Sequence, residues 1–279
     1  ENITVFLNKA PDGEAAGGLS DEIDFRNVNR NSSIVLDANG LLGGPGQPPA
    51  TSENFVELTT TIAAHEVGHA AGARHAHSFG PIGFGVHVPP GRAAYAPQYA
   101  GLPGALETTF HVMASPASVG SSLQQAASGA FFSERTAIVL AFSEQGVVVQ
   151  EDAEATQSAG GQSLGELPGL AVPNTVSHGL NAGKDLSVAA VAVVGRLDLV
   201  DPVTGVAEND LFSFVGQAGD LINIEVMSSS LTRYAEDSID SVVRVFDDAG
   251  NVVPYHDSRF GAFNDDQFEP GDATILDLT

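Results

Sequence analysis

HEVGHAAGARH, His65–His75, places three histidines, one glutamate and two glycines within eleven residues. Because an α-helix repeats about every 3.6 residues, His65 and His69 lie on one helix face about one turn apart. Gly72 can adopt the left-handed conformation with little steric cost, so it predicts the end of this helix. The turn that Gly72 permits brings His75 back toward the other two histidines. The three imidazoles can then point their nitrogens at one ion.

The residue types in this stretch are those of a zinc site. H-E-x-x-H is the spacing in which two histidines hold zinc and the glutamate, here Glu66, acts as general base. With His65, His69 and His75 as ligands, a fourth tetrahedral position stays open for water, which indicates a catalytic zinc. The neighbouring RHAHS stretch offers His77 as an alternative third ligand. The spacing after Gly72 favours His75.

The residues before the motif predict the helix that carries it. Asn54 is the expected N-cap, with Glu57 three residues later in a capping-box arrangement. From Phe55 onward, apolar residues occur on nearly all faces of the helix. A helix of this kind is expected to be buried.

The full pattern H-E-x-x-H-x-x-G-x-x-H resembles the metzincin clan of zinc endopeptidases. This resemblance implies a methionine-containing turn beneath the metal. Met113, 38 residues after His75, is the candidate; the alternative is that it only fills a gap in the core. Ser115 occupies the position where some metzincins have a tyrosine, so that feature is absent. A helix capped by Ser133 and ended by Gly146 resembles the clan's C-terminal helix, with a packing role.

Residues 1–148 are therefore predicted to form an α+β, metzincin-like catalytic domain with a mixed sheet and a zinc helix. Three strands are expected before the helix, at Ile3–Leu7, Ile23–Val28 and Ser33–Leu36. The clan usually has more strands there, so we expect part of the N-terminal subdomain, and a propeptide, to be missing. The loops around the motif contain His87, Tyr95, Tyr99 and His111, which are expected to be packing or surface residues rather than ligands.

The second half of the chain has a different composition. Residues 149–165 are acidic and rich in small residues, which predicts a linker. Residues 166–279 contain short β-branched or alternating runs separated by turns, which predict an all-β, antiparallel sandwich with a core of its own. Deleting the chain from about Leu164 onward is then expected to leave peptide cleavage nearly unchanged.

The strings NDLFSFVGQAGDLINIEV and SVVRVFDDAGNVV resemble the bacterial pre-peptidase C-terminal (PPC) domain, a jelly-roll-like sandwich appended to secreted proteases. Phe212 and Phe214 are expected to face inward, and Gly219–Asp220 and Ala249–Asn251 to form hairpin turns. The family's final strands are missing, so this sandwich is expected to be incomplete at its C-terminus.

Calcium is a further candidate ligand of the second half, because some PPC domains bind it through acidic loops. The candidate residues are Asp198, Asp201, Glu208 and Asp210. The alternative is that this acidic run is a solvated surface.

The charge of the whole chain limits its partners. With 35 acidic against 11 basic residues, the formal charge is −24, which argues against nucleic acid or an anionic membrane. There is no cysteine and no apolar run of membrane-spanning length. The expected function is a secreted, bacterial-type zinc endopeptidase acting on a protein or peptide. The alternative is a non-catalytic extracellular adhesion or envelope protein built on a degenerate protease frame, against which the intact Glu66 argues.

Overall fold

The structure, a computed structural model, is of mixed α+β type, with several small sheets and no closed barrel among the described residues. The described residues are 3–10, 17–29, 31–86, 103–115, 129–158, 160–172, 179–184, 186–197, 208–256, 258–265 and 271–279. The helices are α1 Ser52–Ala70, α2 Glu134–Gln145 and α3 Ala153–Thr156. The strands are β1 Thr4–Leu7, β2 Gly17–Ser20, β3 Ser33–Asp37, β4 Val147–Gln150, β5 Gln162–Glu166, β6 Gly169–Leu170, β7 Val188–Ala189, β8 Val191–Val194, β9 Phe212–Val215, β10 Ile222–Glu225, β11 Val243–Arg244, β12 Phe263–Asn264 and β13 Thr274–Leu278.

A three-stranded sheet supports the helix that carries the motif. Its order is β1–β3–β2, with β1 parallel and β2 antiparallel to the central β3. Ile34 and Leu36 alternate along β3 toward the same face, where they pack against Leu58 and Ile62 of α1. The sheet and α1 therefore share one hydrophobic core.

One of the predicted strands of this sheet is wrong. Ile23–Val28 forms a turn, in which Arg26 and Asn27 have φ values of 74° and 49°. Positive φ is incompatible with an extended strand. The third strand of the sheet is Gly17–Ser20 instead. This segment was not predicted as a strand because it begins with two glycines, which are uncommon in strands. The strands predicted at Ile3–Leu7 and Ser33–Leu36 are confirmed as β1 and β3.

Helix α1 begins earlier than the sequence indicated. Thr51 is the N-cap, and its hydroxyl accepts a hydrogen bond from the Asn54 amide at 3.2 Å. Asn54, the predicted cap, lies inside the first turn, where its side chain donates to the Pro49 carbonyl. The expectation that the helix is buried on all sides is also wrong. Val56 is 61% exposed and Val67 is 36% exposed, because the sheet covers only part of the helix.

Helix α2 forms as predicted. The Ser133 hydroxyl accepts a hydrogen bond from the Thr136 amide at 3.1 Å, and Gly146 is the C-cap. The ring of Phe142 stacks on that of Phe25, with centroids 5.6 Å apart. This contact joins α2 to the turn that precedes β3.

In the second half, most strands pair two by two. The segment predicted to be a linker contains α3 and most of β5, and β4 begins just before it. β4 pairs in parallel with β8, and β5 in parallel with β9, so the antiparallel pairing expected for these strands is wrong. Phe212, predicted to face inward, is 39% exposed, because its face of the β5–β9 ribbon is not covered by the described residues. A jelly-roll sandwich, and the domain boundaries that go with it, stay predictions.

The C-terminal strands have a core of their own. β10 pairs antiparallel with β13, and Tyr255, Ile275 and Leu278 are buried beside them. The turn at Ala249–Asn251 is confirmed, since the Asp247 amide donates to the Asn251 carbonyl at 2.8 Å and the two chain segments bridge. The turn at Gly219–Asp220 does not close a hairpin, because β9 and β10 pair with different partners.

Buried ion pairs join this C-terminal core to the first half of the chain. Arg135 of α2 contacts Asp277 at 2.7 Å, and both side chains are less than 5% exposed. Arg74 contacts Glu225 and Asp272. Leu276 of β13 also packs in one buried cluster with Ala76, Phe79, Val86 and Ala114. The C-terminal strands therefore share part of the core of the first half besides having a cluster of their own, and the fully separate cores expected from a polar linker are not found among the described residues.

Candidate metal centre

The structure brings together the three histidines of the opening motif. The Nε2 atom of His65 lies 3.1 Å from that of His69 and 3.2 Å from that of His75. The Nε2 atoms of His69 and His75 are also 3.2 Å apart. These three nitrogens form a nearly equilateral triangle that can hold one metal ion.

The size of this triangle suits zinc. With a Zn–N bond of about 2.05 Å, three nitrogens at this spacing subtend angles of about 100° at the ion, close to tetrahedral. The fourth position of the tetrahedron has no ligand among the three histidines. A metal in this site can therefore hold three imidazoles and one further group.

Two backbone carbonyls orient the imidazoles. His65 Nδ1 lies 2.7 Å from the Val112 carbonyl oxygen, and His69 Nδ1 lies 2.8 Å from the Ala73 carbonyl oxygen. A carbonyl can only accept, so each Nδ1 carries the proton and each Nε2 presents a lone pair to the centre of the triangle. Lone pairs that converge in this way repel one another unless a cation lies between them.

Burial keeps the three imidazoles neutral. It lowers the pKa of His65, and it lowers that of His69 well below the usual value, with the neighbouring His65 acting in the same direction. Burial and His65 together lower the pKa of His75 to about 3. Neutral imidazole is the form that binds a metal, so the site is ready for an ion at neutral pH.

Glu66 follows the ligand His65 on α1, and its side chain lies in a confined position under β2. It is only 6% exposed, and this burial raises its pKa to about 7, although a hydrogen bond with the Ser20 backbone acts in the opposite direction. Strand β2 covers it closely, since a Cβ atom on Gly18 would lie 2.4 Å from Glu66 Oε1. A carboxyl group with such a pKa can both accept and release a proton near pH 7.

The remaining predicted site residues are Met113, which packs against the middle of the motif, and Gly72, which follows the C-terminal end of α1. Met113 is fully buried, with its sulfur against Gly68, between the two helix ligands. Gly72 has φ +90°, and a Cβ atom there would lie 2.3 Å from the Phe25 Cα atom. The chain therefore requires glycine at position 72, as the spacing predicted. The interpretation of Met113 as the metzincin methionine stays a prediction.

Several other candidates lie apart from the triangle or outside the described residues. His77 contacts Glu225 instead, and His111 is buried between Ser78 and Glu107 in a packing position, as expected. Glu208 and Asp210 belong to no metal-binding group among the described residues. The candidates outside the described residues are His87, Tyr95, Tyr99, Asp198 and Asp201.

Sequence reasoning missed four residues around this centre. The carbonyls of Ala73 and Val112 carry no side-chain signal. Gly18 lies in a segment that gave no strand signal, although its lack of a side chain makes room for Glu66. Glu225 is 150 residues from His75. Apart from the contact of His69 with Ala73, these contacts join residues far apart in the chain, so no local pattern could have revealed them.

Comparison with family models, with curated proteins and with solved structures gave no match. The resemblances to metzincins and to PPC domains rest on the quoted sequence alone. Within the described part of the chain, no helix is both long and apolar enough to cross a membrane.

Proposed function

We propose that this protein is a zinc-dependent endopeptidase. The observation that carries the proposal is the triangle of Nε2 atoms from His65, His69 and His75. Three neutral imidazoles with an open fourth position are the donor set of catalytic zinc sites. Glu66, next to the first ligand in sequence, supplies the group that such a site needs for acid–base chemistry.

Zinc, when bound, supplies a Lewis acid that polarises the scissile carbonyl and lowers the pKa of a water molecule. The carboxylate of Glu66 would accept a proton from water as the water oxygen adds to the carbonyl carbon, and would give that proton to the amine nitrogen as the C–N bond breaks. Before an ion is bound, burial raises the pKa of Glu66 to about 7, so near neutral pH neither its carboxylate nor its carboxylic acid is strongly favoured. The Nδ1–H groups of His65 and His69 keep donating to the carbonyl oxygens of Val112 and Ala73, and these hydrogen bonds hold the rings in place.

The substrate class follows from the same proposal. The net charge of −24 disfavours nucleic acid, and a protein or peptide chain is the proposed substrate. Secretion from a bacterial-type cell is part of the proposal and rests on the resemblance of the second half to domains of secreted proteases.

Hydrolysis of casein by the purified full chain tests this function. We expect cleavage that a zinc chelator abolishes and that added Zn²⁺ restores. The control is a preparation of Glu66→Gln made in the same way, which removes contaminating proteases from consideration. Zinc-loaded protein that leaves casein and a peptide library intact would contradict the proposal and favour the non-catalytic alternative.

A further inference from the structure

The segment that carries His75 is held by hydrogen bonds from Ser133 and His111 and, through buried charges, by the C-terminal half of the chain. Its neighbours Arg74 and His77 both point at Glu225, the last residue of β10. The Arg74 side chain is fully buried and contacts Glu225 Oε2 through Nη2 and Asp272 Oδ2 through Nη1, the latter at 3.3 Å. His77 Nε2 lies 2.8 Å from the same Glu225 oxygen. We call Arg74, His77 and Glu225 the Glu225 clamp.

The hydrogen bonds of His77 define its role in the clamp. The Arg74 amide donates to His77 Nδ1 at 2.8 Å, so Nδ1 carries no proton. The proton of a neutral His77 is therefore on Nε2, which donates it to the Glu225 carboxylate. Both ring nitrogens are then engaged, and His77 has no lone pair to offer a metal. These two hydrogen bonds suit His77 to hold in place the turn on which His75 lies.

The other end of the clamp is anchored in the C-terminal core. Glu225 pairs with Thr274 across the β10–β13 sheet. The carboxylate of Asp272 accepts hydrogen bonds from three successive backbone amides, those of Ser228, Ser229 and Ser230, at 2.9, 2.7 and 3.0 Å. Both acidic partners of Arg74 are thus held in place by the backbone around them.

His75 needs such an external restraint more than the other two ligands do. His65 and His69 lie on α1 and are oriented by the carbonyls of Val112 and Ala73. His75 follows Gly72, whose φ of +90° marks the point where the chain leaves the helix. Its position relative to the triangle therefore depends on what holds residues 74–78.

We infer that Glu225 is a positioning residue of the metal centre, which acts through Arg74 and His77 to keep His75 in the triangle with His65 and His69. This inference rests on the metal site of the proposed function, but not on peptide hydrolysis. It predicts that the affinity for metal depends on residues in both halves of the chain, although the three ligands all lie in the first half.

The test measures metal binding by the full chain, independently of activity. Zinc affinity is determined by competition with a chelator, and the Co²⁺-substituted protein reports ligand geometry through its visible absorption. We expect Glu225→Gln to bind zinc about 10–100-fold more weakly, the range typical of partners that orient a ligand, with an altered cobalt spectrum. The matched control is Asp277→Asn, which breaks a buried arginine–carboxylate pair between the same two halves, away from the Glu225 clamp, and should leave affinity and spectrum unchanged.

A second variant covers the case in which Glu225→Gln does not fold. In His77→Asn the shorter side chain can still accept from the Arg74 amide but cannot reach Glu225, so one part of the clamp is removed while the Arg74–Glu225 pair remains. Its zinc affinity should fall by a smaller factor. Wild-type affinity and an unchanged cobalt spectrum in a folded variant would overturn the inference, and so would an equal loss in Asp277→Asn. A wild-type protein that binds zinc but cleaves no peptide would contradict the proposed function and leave the clamp standing.

Discussion

Gly68 and Met113 are in direct contact: a Cβ atom on Gly68 would lie 2.5 Å from the Met113 sulfur. Gly68 lies between His65 and His69 along α1, so this contact sets how closely the ligand-bearing turn approaches the segment below it. That segment also supplies the Val112 carbonyl that orients His65. Any side chain at position 68 would push these two elements apart.

Gly68→Ala should therefore destabilise the protein, although alanine is the better helix former by about 1 kcal/mol. Overpacking of this kind typically costs about 1–3 kcal/mol, which outweighs the gain in helix propensity. Thermal denaturation of Gly68→Ala, which should show a lower melting temperature than the wild type, checks this prediction. In a double-mutant cycle, Met113→Ala should relieve part of the cost of Gly68→Ala. Strictly additive effects would contradict the contact.

Glu66→Gln separates metal binding from chemistry. Zinc content should stay near one ion per chain, because Glu66 is not a member of the histidine triangle. The rate of peptide hydrolysis should fall by about 10²–10⁴, as expected for loss of a general base. Metal analysis and a peptide assay on the same preparation check both statements. A fully active variant would assign the base to another residue.

His75→Ala distinguishes the two candidate third ligands. It should bind zinc far more weakly than the wild type, because only two imidazoles remain where three are needed. His77→Ala should lose at most about 10–100-fold, since His77 acts only through its contacts. Zinc occupancy of the two variants against a competing chelator is the measurement. If His77→Ala lost the metal and His75→Ala kept it, the assignment would be reversed.

Truncation from Leu164 onward should abolish the fold of the first half. The cut removes Glu225, Asp272 and Asp277, and so leaves the guanidinium groups of Arg74 and Arg135 without their buried carboxylate partners. The cut also removes Leu276, which packs in one buried cluster with Ala76, Phe79, Val86 and Ala114, so it exposes this part of the core to water. Circular dichroism and size-exclusion chromatography check the outcome.

The matched control for this truncation carries Arg74→Met and Arg135→Met as well. It should also stay unfolded, because the truncation gives both arginines access to water and the uncovered hydrophobic cluster remains. A truncated chain that is folded without these substitutions would show that the first half has an independent core.

Asp210→Asn should stabilise the protein at neutral pH. Burial, and then the charge of Glu151, raises the pKa of Asp210 to about 6 from 3.8. The protonated form is thus favoured in the folded state, and the stability it contributes below pH 3.8 is lost as the pH rises through about 6. Because Asp210 is partly exposed and water screens its charge, Asp210→Asn should raise the free energy of unfolding above pH 6 by at most about 1 kcal/mol.

Melting temperatures at pH 4 and pH 7.5 check this prediction, and the two proteins should differ only at the higher pH. The control is Asp247→Asn, since hydrogen bonds from Asn251 lower the pKa of Asp247 and its substitution should lower the melting temperature at neutral pH. A melting temperature of Asp210→Asn below that of the wild type at pH 7.5 would mean that a cation compensates the carboxylate, as calcium would.

The sequence alone was sufficient for the features that depend on local spacing. The four-residue interval puts His65 and His69 on one helix face, and Gly72 is required where the chain turns with positive φ. The Ser133 cap and the Gly146 end of α2 are equally local, because a cap interacts with amides two or three residues away. In each case, the interacting groups lie within one or two helix turns of each other.

The tertiary structure decided what depends on distant groups. Val112 orients His65 across 47 residues and Glu225 contacts His77 across 148, and no periodicity links residues so far apart. The segment Ile23–Val28 had the composition of a strand, yet its Asp24 side chain pairs with Arg233 and the chain turns there instead. Local patterns determined which residues can bind a metal, whereas long-range packing and buried charge determined what holds them together.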